Sequence, residues 1–320
     1  MISIVIVSYN NISNLKTCIT SIYKYHKNLD FEIIVVAYLF STENLTKLKT
    51  LFPNIKIVES NEIRGFSENN NLGLKYAVGE YILILNDDTC FTDNSIELLK
   101  NTFSSKKDAV IVSPILFFPD GRIQFKGRNK FTLITLVCYE FQLKKISDYF
   151  SQYSRKKGIY PTYNVSGACF LIKTDIFKAM GYFNEEYFFT PEDVELSTRI
   201  NKETNFKCYL NAEATVIHNC YTTAGSIVEA IIPTIYQGIF IFFRRNYGVW
   251  HEWCARLICC SISILKVINL KLSRKTISSN RLKGYINAIK FSFQKRKPKD
   301  IFIGIFQSIK KTDNQHLGDN

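Results

Sequence analysis

Three signatures that would assign the chain to a common class are missing from its sequence. No G-x-G-x-x-G motif occurs, so the glycine-containing segment Gly65–Gly73 is not a dinucleotide-binding fingerprint. The nine cysteines are odd in number and lack zinc-ligand spacing, which argues against a disulfide framework and a zinc module. Met1 leads directly into an apolar segment, so we expect no signal peptide and a reducing, cytoplasmic environment.

Apolar runs long enough to cross a bilayer are also missing. The stretch Leu257–Leu270 has 14 residues and includes Lys266, which makes it too short to span. The segment 227–243 is longer, but a glutamate, a proline and a glutamine interrupt it. We therefore expect no transmembrane helix.

Acidic residues are scarce toward the C-terminus. Residues 251–320 hold 14 Lys and Arg against 4 Asp and Glu, a net charge of +10, whereas residues 1–250 carry a net charge of +3. Bases interleaved with apolar residues predict an amphipathic helix on an anionic membrane, or a helical appendage with a solvated basic face. The membrane interpretation is preferred. A nucleic-acid partner is not expected, because no recognised binding module accompanies the charge.

Strand and helix patterns alternate about every 15 residues through the first half of the chain. This spacing is typical of β-α-β units and predicts an α/β fold with a mostly parallel sheet flanked by helices. The predicted strands are Ile2–Val7, Phe31–Val36, Ile55–Glu59 and Tyr81–Leu85, and the predicted helices are Ser13–Ile22, Leu45–Leu51 and Asn69–Val78.

The last of these strands ends in two adjacent carboxylates, Asp87 and Asp88. Its continuous apolar run indicates a strand buried on both faces, and ligands of such sheets bind beyond the carboxyl ends of the strands. Paired carboxylates at that edge can hold a divalent cation, which can in turn hold a diphosphate. The alternative is that they only cap the next helix.

Three separated segments resemble the inverting family-2 glycosyltransferases, and most of all the branch with rhamnosyltransferases of bacterial surface polysaccharides. They are ISIVIVSYNN at the N-terminus, NEIRGFSENNNLGLKYAVGEYILILNDDT, and VSGACFLIKTDIFKAMGYFNEEYFFTPEDVELSTRI. The similarity runs from about Ile2 to about His218. It implies a GT-A catalytic domain over residues 1–222 and a helical, basic region over 223–320, with the boundary near Tyr221–Gly225.

The resemblance also implies roles for individual residues. Nucleotide contacts fall on Ser8, Tyr9, Asn10, Arg64, Gly65, Asn71, Asn86 and Asp87, and backbone contacts to the sugar or acceptor fall on Gly167. The metal ligands, for Mg²⁺ or Mn²⁺, are Asp88 and His218, with Asn86 replacing the usual first aspartate of the metal motif. The catalytic base is expected in the pair Glu192-Asp193, with Asp193 the better match.

Simpler interpretations of the last two features stay open. Acids in a first helical turn are common because they complement the helix dipole, and Glu192-Asp193 follow Pro191 at a predicted helix start. A single histidine at the end of a strand, such as His218, is more often an ordinary side chain than a ligand.

One position departs from the family pattern. The second strand usually ends in an aspartate that accepts a hydrogen bond from the nucleotide base, and here Ala37 stands there. Tyr38, Ser41 or Glu43 could compensate, base recognition could be relaxed, or the domain could be a non-catalytic scaffold in a glycan-assembly complex.

The expected function is transfer of a sugar from a nucleotide-diphospho-sugar to a growing, polyprenyl-linked bacterial surface glycan. The resemblance makes dTDP-rhamnose the first expectation for the donor, with a UDP-hexose or UDP-N-acetylhexosamine as the alternative. The expected location is the cytoplasm, peripheral at the inner face of the cell membrane.

Overall fold

The computed structural model describes residues 1–141, 153, 155–219, 227–272 and 279–318. The chain divides into two compact units. The first comprises residues 1–131, 144–184 and 192–222, and the second comprises 132–143, 185–191 and 223–320. The segment Tyr221–Gly225, where the sequence predicted a boundary, lies outside the described residues. The sequence did not anticipate that two short earlier segments belong to the second unit.

The first unit is built on a ten-stranded sheet in the order β3-β2-β1-β4-β9-β6-β10-β5, with β7 beside β6 and β8 beside β10. The strands are β1 (Ile2–Tyr9), β2 (Phe31–Tyr38), β3 (Lys56–Ser60), β4 (Tyr81–Asn86), β5 (Thr89–Phe91), β6 (Ala109–Phe117), β7 (Ile123–Phe125), β8 (Ile159–Thr162), β9 (Cys169–Lys173) and β10 (Lys207–His218). The α/β class is confirmed. The first four strands are all parallel, and antiparallel pairings of β9 and β5 make the sheet as a whole mixed.

Helices cover both faces of the parallel strands, as the unbroken apolar runs predict. Ile4 and Ile6 of β1 pack into a core with Leu15 and Ile19 of the first helix, whereas Val5 joins a second core on the other face. The helices of this unit are α1 (Ile12–Tyr25), α2 (Thr42–Leu51), α3 (Phe66–Leu74), α4 (Ser95–Ser105), α6 (Thr174–Ala179) and α7 (Glu192–Glu203); α5 belongs to the second unit.

Helix α3 begins and ends earlier than the predicted helix Asn69–Val78. Gly65 is its N-cap, and the backbone N–H of Gly65 donates to Glu68 Oε2 at 2.9 Å, which starts the helix at Phe66. Beyond Leu74 the chain turns tightly so that Gly79 lies against β1, where a Cβ would be 2.6 Å from the backbone nitrogen of Ser3. A helix through Val78 would not allow this close approach.

The second unit is helical, with α5 (Leu133–Glu140), α8 (Val228–Tyr247), α9 (Val249–Leu272), α10 (Ser279–Phe291) and α11 (Pro298–Gly318). Helix α9 corrects the sequence interpretation, because it has 24 residues rather than 14 and is long and apolar enough to cross a membrane by length and composition. The predicted stretch began at Leu257, and Glu252 and Arg256 precede it in the sequence. The structure pairs these two residues with each other at 2.8 Å, so the helix continues through them.

Candidate active site

The ends of β1 and β4 bring the first predicted contacts together at the carboxyl edge of the sheet. Ser8 Oγ donates a hydrogen bond of 2.5 Å to Asp87 Oδ2. Burial raises the pKa of Asp87 to about 7, and the neighbouring Asp88 charge adds to the rise while the Ser8 hydrogen bond opposes it. The Ser8 hydrogen bond therefore holds the Asp87 carboxylate against β1, whereas the Asp88 carboxylate lies beside His218.

Asp88 and His218 form a close pair at the same edge. His218 lies opposite Thr89 in the antiparallel pairing of β10 with β5, which brings its Nε2 to 3.0 Å from Asp88 Oδ1. Asn86 Nδ2 lies 3.3 Å from the same nitrogen, and Gln124 Oε1 lies 2.8 Å from Nδ1. The contacts of both ring nitrogens are partly buried, and they fix the orientation of the imidazole.

This pair fits a divalent ion by its chemistry and spacing. Gln124 Oε1 is an acceptor for Nδ1–H, which leaves Nε2 facing Asp88 Oδ1, and an imidazole nitrogen and a carboxylate oxygen are both ligands that a divalent ion takes. Adjacent ligands of an octahedral ion with bonds of about 2.1 Å lie about 3.0 Å apart. Among the described residues no group of three or more His, Cys, Asp or Glu could hold a metal. A bound diphosphate and water can supply further ligands.

A second cluster gathers around Tyr38 at the end of β2. The ring centroids of Tyr9 and Tyr38 are 5.4 Å apart, and the Arg64 backbone N–H donates to the Tyr38 hydroxyl at 3.3 Å. Asn10, in the left-handed region with φ +47°, accepts from the Ser41 backbone N–H at 2.9 Å. Gly65 follows as the N-cap of α3. These predicted nucleotide contacts thus lie next to one another.

The structure distinguishes among the residues that could compensate for Ala37. The Ala37 side chain is 1% exposed. Ser41 Oγ caps α2 by accepting from Asn44, and Glu43 binds Lys47 at 2.6 Å on the exposed side of that helix. Tyr38 is half-buried, and burial raises its pKa to about 12, so its hydroxyl keeps its proton and can donate.

Asn71 is used differently from the other predicted nucleotide contacts. Its side-chain amide donates to the Phe183 carbonyl at 2.9 Å and accepts from the Phe183 backbone N–H at 3.1 Å. Both groups of the amide thereby hold the turn before residue 184. The observed contacts give Asn71 a structural part, and nucleotide contact stays a prediction.

The acid pair begins α7, as the Pro191 signal predicted. Asp193 Oδ2 accepts from the Gly167 backbone N–H at 2.9 Å, and Oδ1 accepts from the Val194 backbone N–H at 2.7 Å. Ser197 Oγ donates to the Asp193 carbonyl at 2.7 Å and accepts from the Val165 N–H at 3.2 Å. The segment before β9 and the first turn of α7 therefore fix the position of the Asp193 carboxylate.

Glu192 differs from Asp193 in its surroundings. It is 7% exposed, and its Oε2 has no hydrogen-bond partner among the described residues. Burial, with the Asp193 charge beside it, raises the pKa of Glu192 well above its ordinary value. Gly167 leaves just enough room for this side chain, since a Cβ there would lie 3.0 Å from Glu192 Oε1.

The pairing of β4 with β9 joins the acid pair to the Asp88–His218 pair. β4 and β9 are antiparallel, and the Asn86 N–H donates to the Ala168 carbonyl at 2.9 Å. Asn86 touches His218, and Gly167, next to Ala168, touches Asp193. The sheet therefore places the predicted metal ligands and the predicted base at one edge.

Two residues of this site were missed by sequence reasoning. Gln124 orients His218, and Arg128 Nη1 lies 3.8 Å from Asp193 Oδ2 with 47% of its side chain exposed. Arg128 is positioned by Phe125, whose ring lies 5.2 Å from the guanidinium. Neither residue belongs to a recognisable motif; a base and an amide in a turn-rich segment give no signal in a single sequence.

Comparison with known proteins agrees with this geometry. The profile of Glycosyl transferase family 2 matches residues 3–181. An N-acetylglucosaminyl-diphospho-decaprenol L-rhamnosyltransferase of Mycobacterium tuberculosis is 23% identical over 185 residues, which are 56% of this chain and 59% of that protein. The chain thus matches less than two thirds of that relative's length. The low-salt glycan biosynthesis hexosyltransferase Agl10 of Haloferax volcanii is 23% identical over 275 residues, 82% of this chain and 81% of that protein.

Among solved structures, the mannosyltransferase PcManGT from Pyrobaculum calidifontis, in complex with GDP-Man and Mn²⁺, has a similar fold. The TM-score is 0.55 at 12% identity, over 92% of this chain and 88% of that one. At this identity the likeness concerns the fold alone, and it confirms the predicted GT-A architecture.

Proposed function

This chain belongs to glycosyl transferase family 2, and on that premise we propose that it transfers a sugar from a nucleotide-diphospho-sugar to a surface glycan with inversion at the anomeric carbon. The observation that carries the proposal is the convergence of a backbone-held carboxylate, Asp193, with the Asp88–His218 pair at one sheet edge. Nucleotide contacts are assigned to the neighbouring cluster around Tyr38.

The residues divide the chemistry between them. Asp193 accepts the proton of the acceptor hydroxyl, which makes that oxygen a competent nucleophile. Its carboxylate accepts two backbone hydrogen bonds, from Gly167 and Val194, so it is oriented before the substrate arrives. Burial raises the pKa of Glu192, which favours its neutral form and so reduces the negative charge beside the base.

Attack by the activated hydroxyl on the face opposite the diphosphate forms the new C–O bond as the bond to the diphosphate breaks. Asp88 and His218 would hold the divalent ion, which when bound supplies electrostatic stabilisation to the departing diphosphate. A nitrogen ligand favours Mn²⁺ over the harder Mg²⁺. Arg128, near Asp193 and half-exposed, can bind an anionic or hydroxyl-rich substrate group.

The donor and acceptor are proposed from the relatives. The Mycobacterium tuberculosis relative is named for rhamnosyl transfer to a decaprenol-linked acceptor, so we assign dTDP-rhamnose as the first donor and a polyprenyl-diphospho-linked sugar as the acceptor. A chain acting on such an acceptor would work at the inner surface of the cell membrane, as a peripheral protein.

A donor screen tests the proposal directly. The purified chain is incubated with a polyprenyl-diphospho-linked acceptor and a panel of donors that includes dTDP-rhamnose, UDP-hexoses, UDP-N-acetylhexosamines and GDP-mannose, with Mn²⁺, Mg²⁺ or chelator. Released nucleotide diphosphate is measured, and the anomeric configuration of the product is read by NMR. We expect release with one donor class, product of inverted configuration, and none in chelator.

The control for the metal pair is a matched substitution. Asp88→Asn should abolish transfer, whereas Asp120→Asn makes the same atomic change at an exposed carboxylate paired with Arg122 and should leave transfer unchanged. Full activity of the Asp88 variant, or of the wild type in chelator, refutes the metal assignment. Binding of Mn²⁺ without turnover of any donor would favour the non-catalytic scaffold.

A further inference from the structure

Helix α9 of the second unit turns Glu252 and Arg256 inward and most of its large apolar side chains outward, with Lys271 exposed near its C-terminal end. The buried positions are Glu252, Ala255, Arg256, Cys259, Ile262 and Ser263. The exposed apolar positions, named here the α9 apolar face, are Trp250, Trp253, Leu257, Ile264, Leu265, Ile268 and Leu272. Each set recurs every three or four residues and so lies along one side of the helix. A helix facing water has the opposite arrangement.

The inward charges fix this orientation. Glu252 and Arg256 are 4% and 5% exposed and form an ion pair of 2.8 Å. The Arg256 guanidinium also donates to the Ser292 carbonyl and lies 4.5 Å from the Phe240 ring. Rotating α9 to bury its apolar face would break the contacts of Arg256 with Ser292 and Phe240 and would expose the inward-facing Ala255, Cys259 and Ile262. The apolar face therefore stays outward.

One end of the α9 apolar face carries the features of a membrane–water boundary. Trp253 stacks on Phe293 with ring centroids 6.2 Å apart, and the Phe293 side chain is 49% exposed. The exposed bases Lys295, Arg296 and Lys297 begin two residues after Phe293. Aromatic rings with one apolar and one wet end favour the headgroup level of a bilayer, and bases beside them bind anionic lipid.

Charge decides between a lipid surface and a second copy of the chain. Residues 251–320 carry a net charge of +10, so two copies of this region would repel each other where they met. An anionic surface is attracted instead. The opposite side of α9 packs within the second unit. Lys266 binds Glu140 of α5 at 2.6 Å, and the Glu252–Arg256 pair faces inward. Lipid can therefore cover one side of the helix and not all of it.

We propose that the α9 apolar face lies along the headgroup–acyl boundary of an anionic bilayer, with the helix axis in the membrane plane and Lys295–Lys297 at the lipid phosphates. This deepens the proposed function by assigning the residues that bind the membrane in which a lipid-linked acceptor resides. The structural observations that support this proposal come from the second unit alone.

Intrinsic fluorescence reports on this face directly, because Trp250 and Trp253 are the two tryptophans of the chain. Titration with phosphatidylcholine–phosphatidylglycerol vesicles should shift the emission to shorter wavelength, and lipids brominated near the headgroup should quench it. Neutralising Lys295, Arg296 and Lys297 together to Gln should weaken binding at low salt by about 100-fold, at about fivefold for each base. The matched control neutralises the exposed Lys16, Lys27 and Lys107 of the first unit and should bind as the wild type does.

The apolar contribution has its own matched pair. The double variant Leu257→Gln/Ile264→Gln should lose about tenfold in vesicle binding per residue, because each half-exposed side chain no longer enters the acyl region. Leu51→Gln/Ile123→Gln changes the same residue types at similarly exposed positions of the first unit and should have no effect. Circular dichroism and turnover with a soluble acceptor should be unchanged in both.

Depth distinguishes a helix lying on the membrane from one crossing it. Ser261 is exposed on the same side at the middle of α9. In a W250F/W253F background, Ser261→Trp should be quenched by bromines near the headgroup; quenching by bromines at the bilayer centre instead would show a crossing helix and overturn the proposal. Absence of a wavelength shift in the wild type, or a dimer dissociated by Leu257→Gln/Ile264→Gln in place of vesicle binding, would also overturn it. A chain that binds vesicles but turns over no donor would refute the proposed function and leave the α9 assignment intact.

Discussion

Asp193→Asn and Glu192→Gln each replace one carboxyl oxygen by an NH2 group, and comparing the two variants separates the roles of these adjacent acids. Asp193→Asn removes the proposed proton acceptor, and its NH2 group cannot accept one of the two backbone hydrogen bonds that Gly167 and Val194 donate. Loss of a general base lowers turnover by about 100-fold to 10,000-fold. One buried N–H without an acceptor destabilises the fold by about 1–3 kcal/mol.

Glu192→Gln makes the same atomic change with a different expected result. Because burial raises the pKa of Glu192, the folded state favours its protonated form, of which Gln is close to an isostere. In the unfolded chain the carboxyl ionises near its ordinary pKa of 4.5, so the wild type loses stability as pH rises above that value. Glu192→Gln lacks this loss and should retain turnover within a few-fold.

Turnover is measured as release of nucleotide diphosphate from the donor found by the screen, and stability as urea unfolding between pH 4 and pH 8. The two variants should separate in both assays: one inactive and less stable, the other active and more stable than the wild type at pH 7. An inactive Glu192→Gln beside an active Asp193→Asn would refute the assignment. An unchanged pH dependence of unfolding in Glu192→Gln would refute the protonated state of that side chain.

Three further substitutions test other parts of the reasoning. Tyr38→Phe should weaken binding of the nucleotide about fivefold by calorimetry, which is the scale of one lost hydrogen bond. Ala37→Asp should lower the unfolding midpoint rather than sharpen the choice of base, because Ala37 is buried. Unchanged stability with tighter nucleotide binding in Ala37→Asp would contradict the second expectation. Gly167→Ala should reduce turnover at least tenfold by displacing Glu192 and Asp193, while Gly304→Ala, whose Cβ meets nothing within 4 Å, should not. Burial lowers the pKa of His26 to about 4, so the wild type should lose up to about 3 kcal/mol of stability as pH falls from 6.5 to 4. His26→Leu should not lose this stability. If urea unfolding shows the same pH dependence for both proteins, protonation of His26 is not the cause of the loss.

Much of the first unit follows from local sequence pattern. An apolar run with no polar alternation, such as Tyr81–Leu85, must be buried on both faces, and the observed strand is. Polar residues at the ends of parallel strands must meet at one edge, and Ser8 does meet Asp87. Helix boundaries were less predictable, because a cap such as Gly65–Glu68 competes with apolar periodicity for the start of a helix.

The sequence by itself determined the order of strands and helices, the sheet edge at which the candidate site residues gather, the family resemblance and the excess of positive charge in the last 70 residues. These depend on spacing along the chain, which a single sequence records. Only the tertiary structure decided that Gln124 orients His218, that Arg128 stands beside Asp193, and that Asp193 accepts two backbone hydrogen bonds whereas Glu192 Oε2 has no partner among the described residues. It also decided which side of α9 is exposed, since pairing of Glu252 with Arg256 inside the unit reverses the orientation that polarity alone would predict. Each of these depends on contacts between residues far apart in the chain, or on burial, and burial is a property of the packed fold.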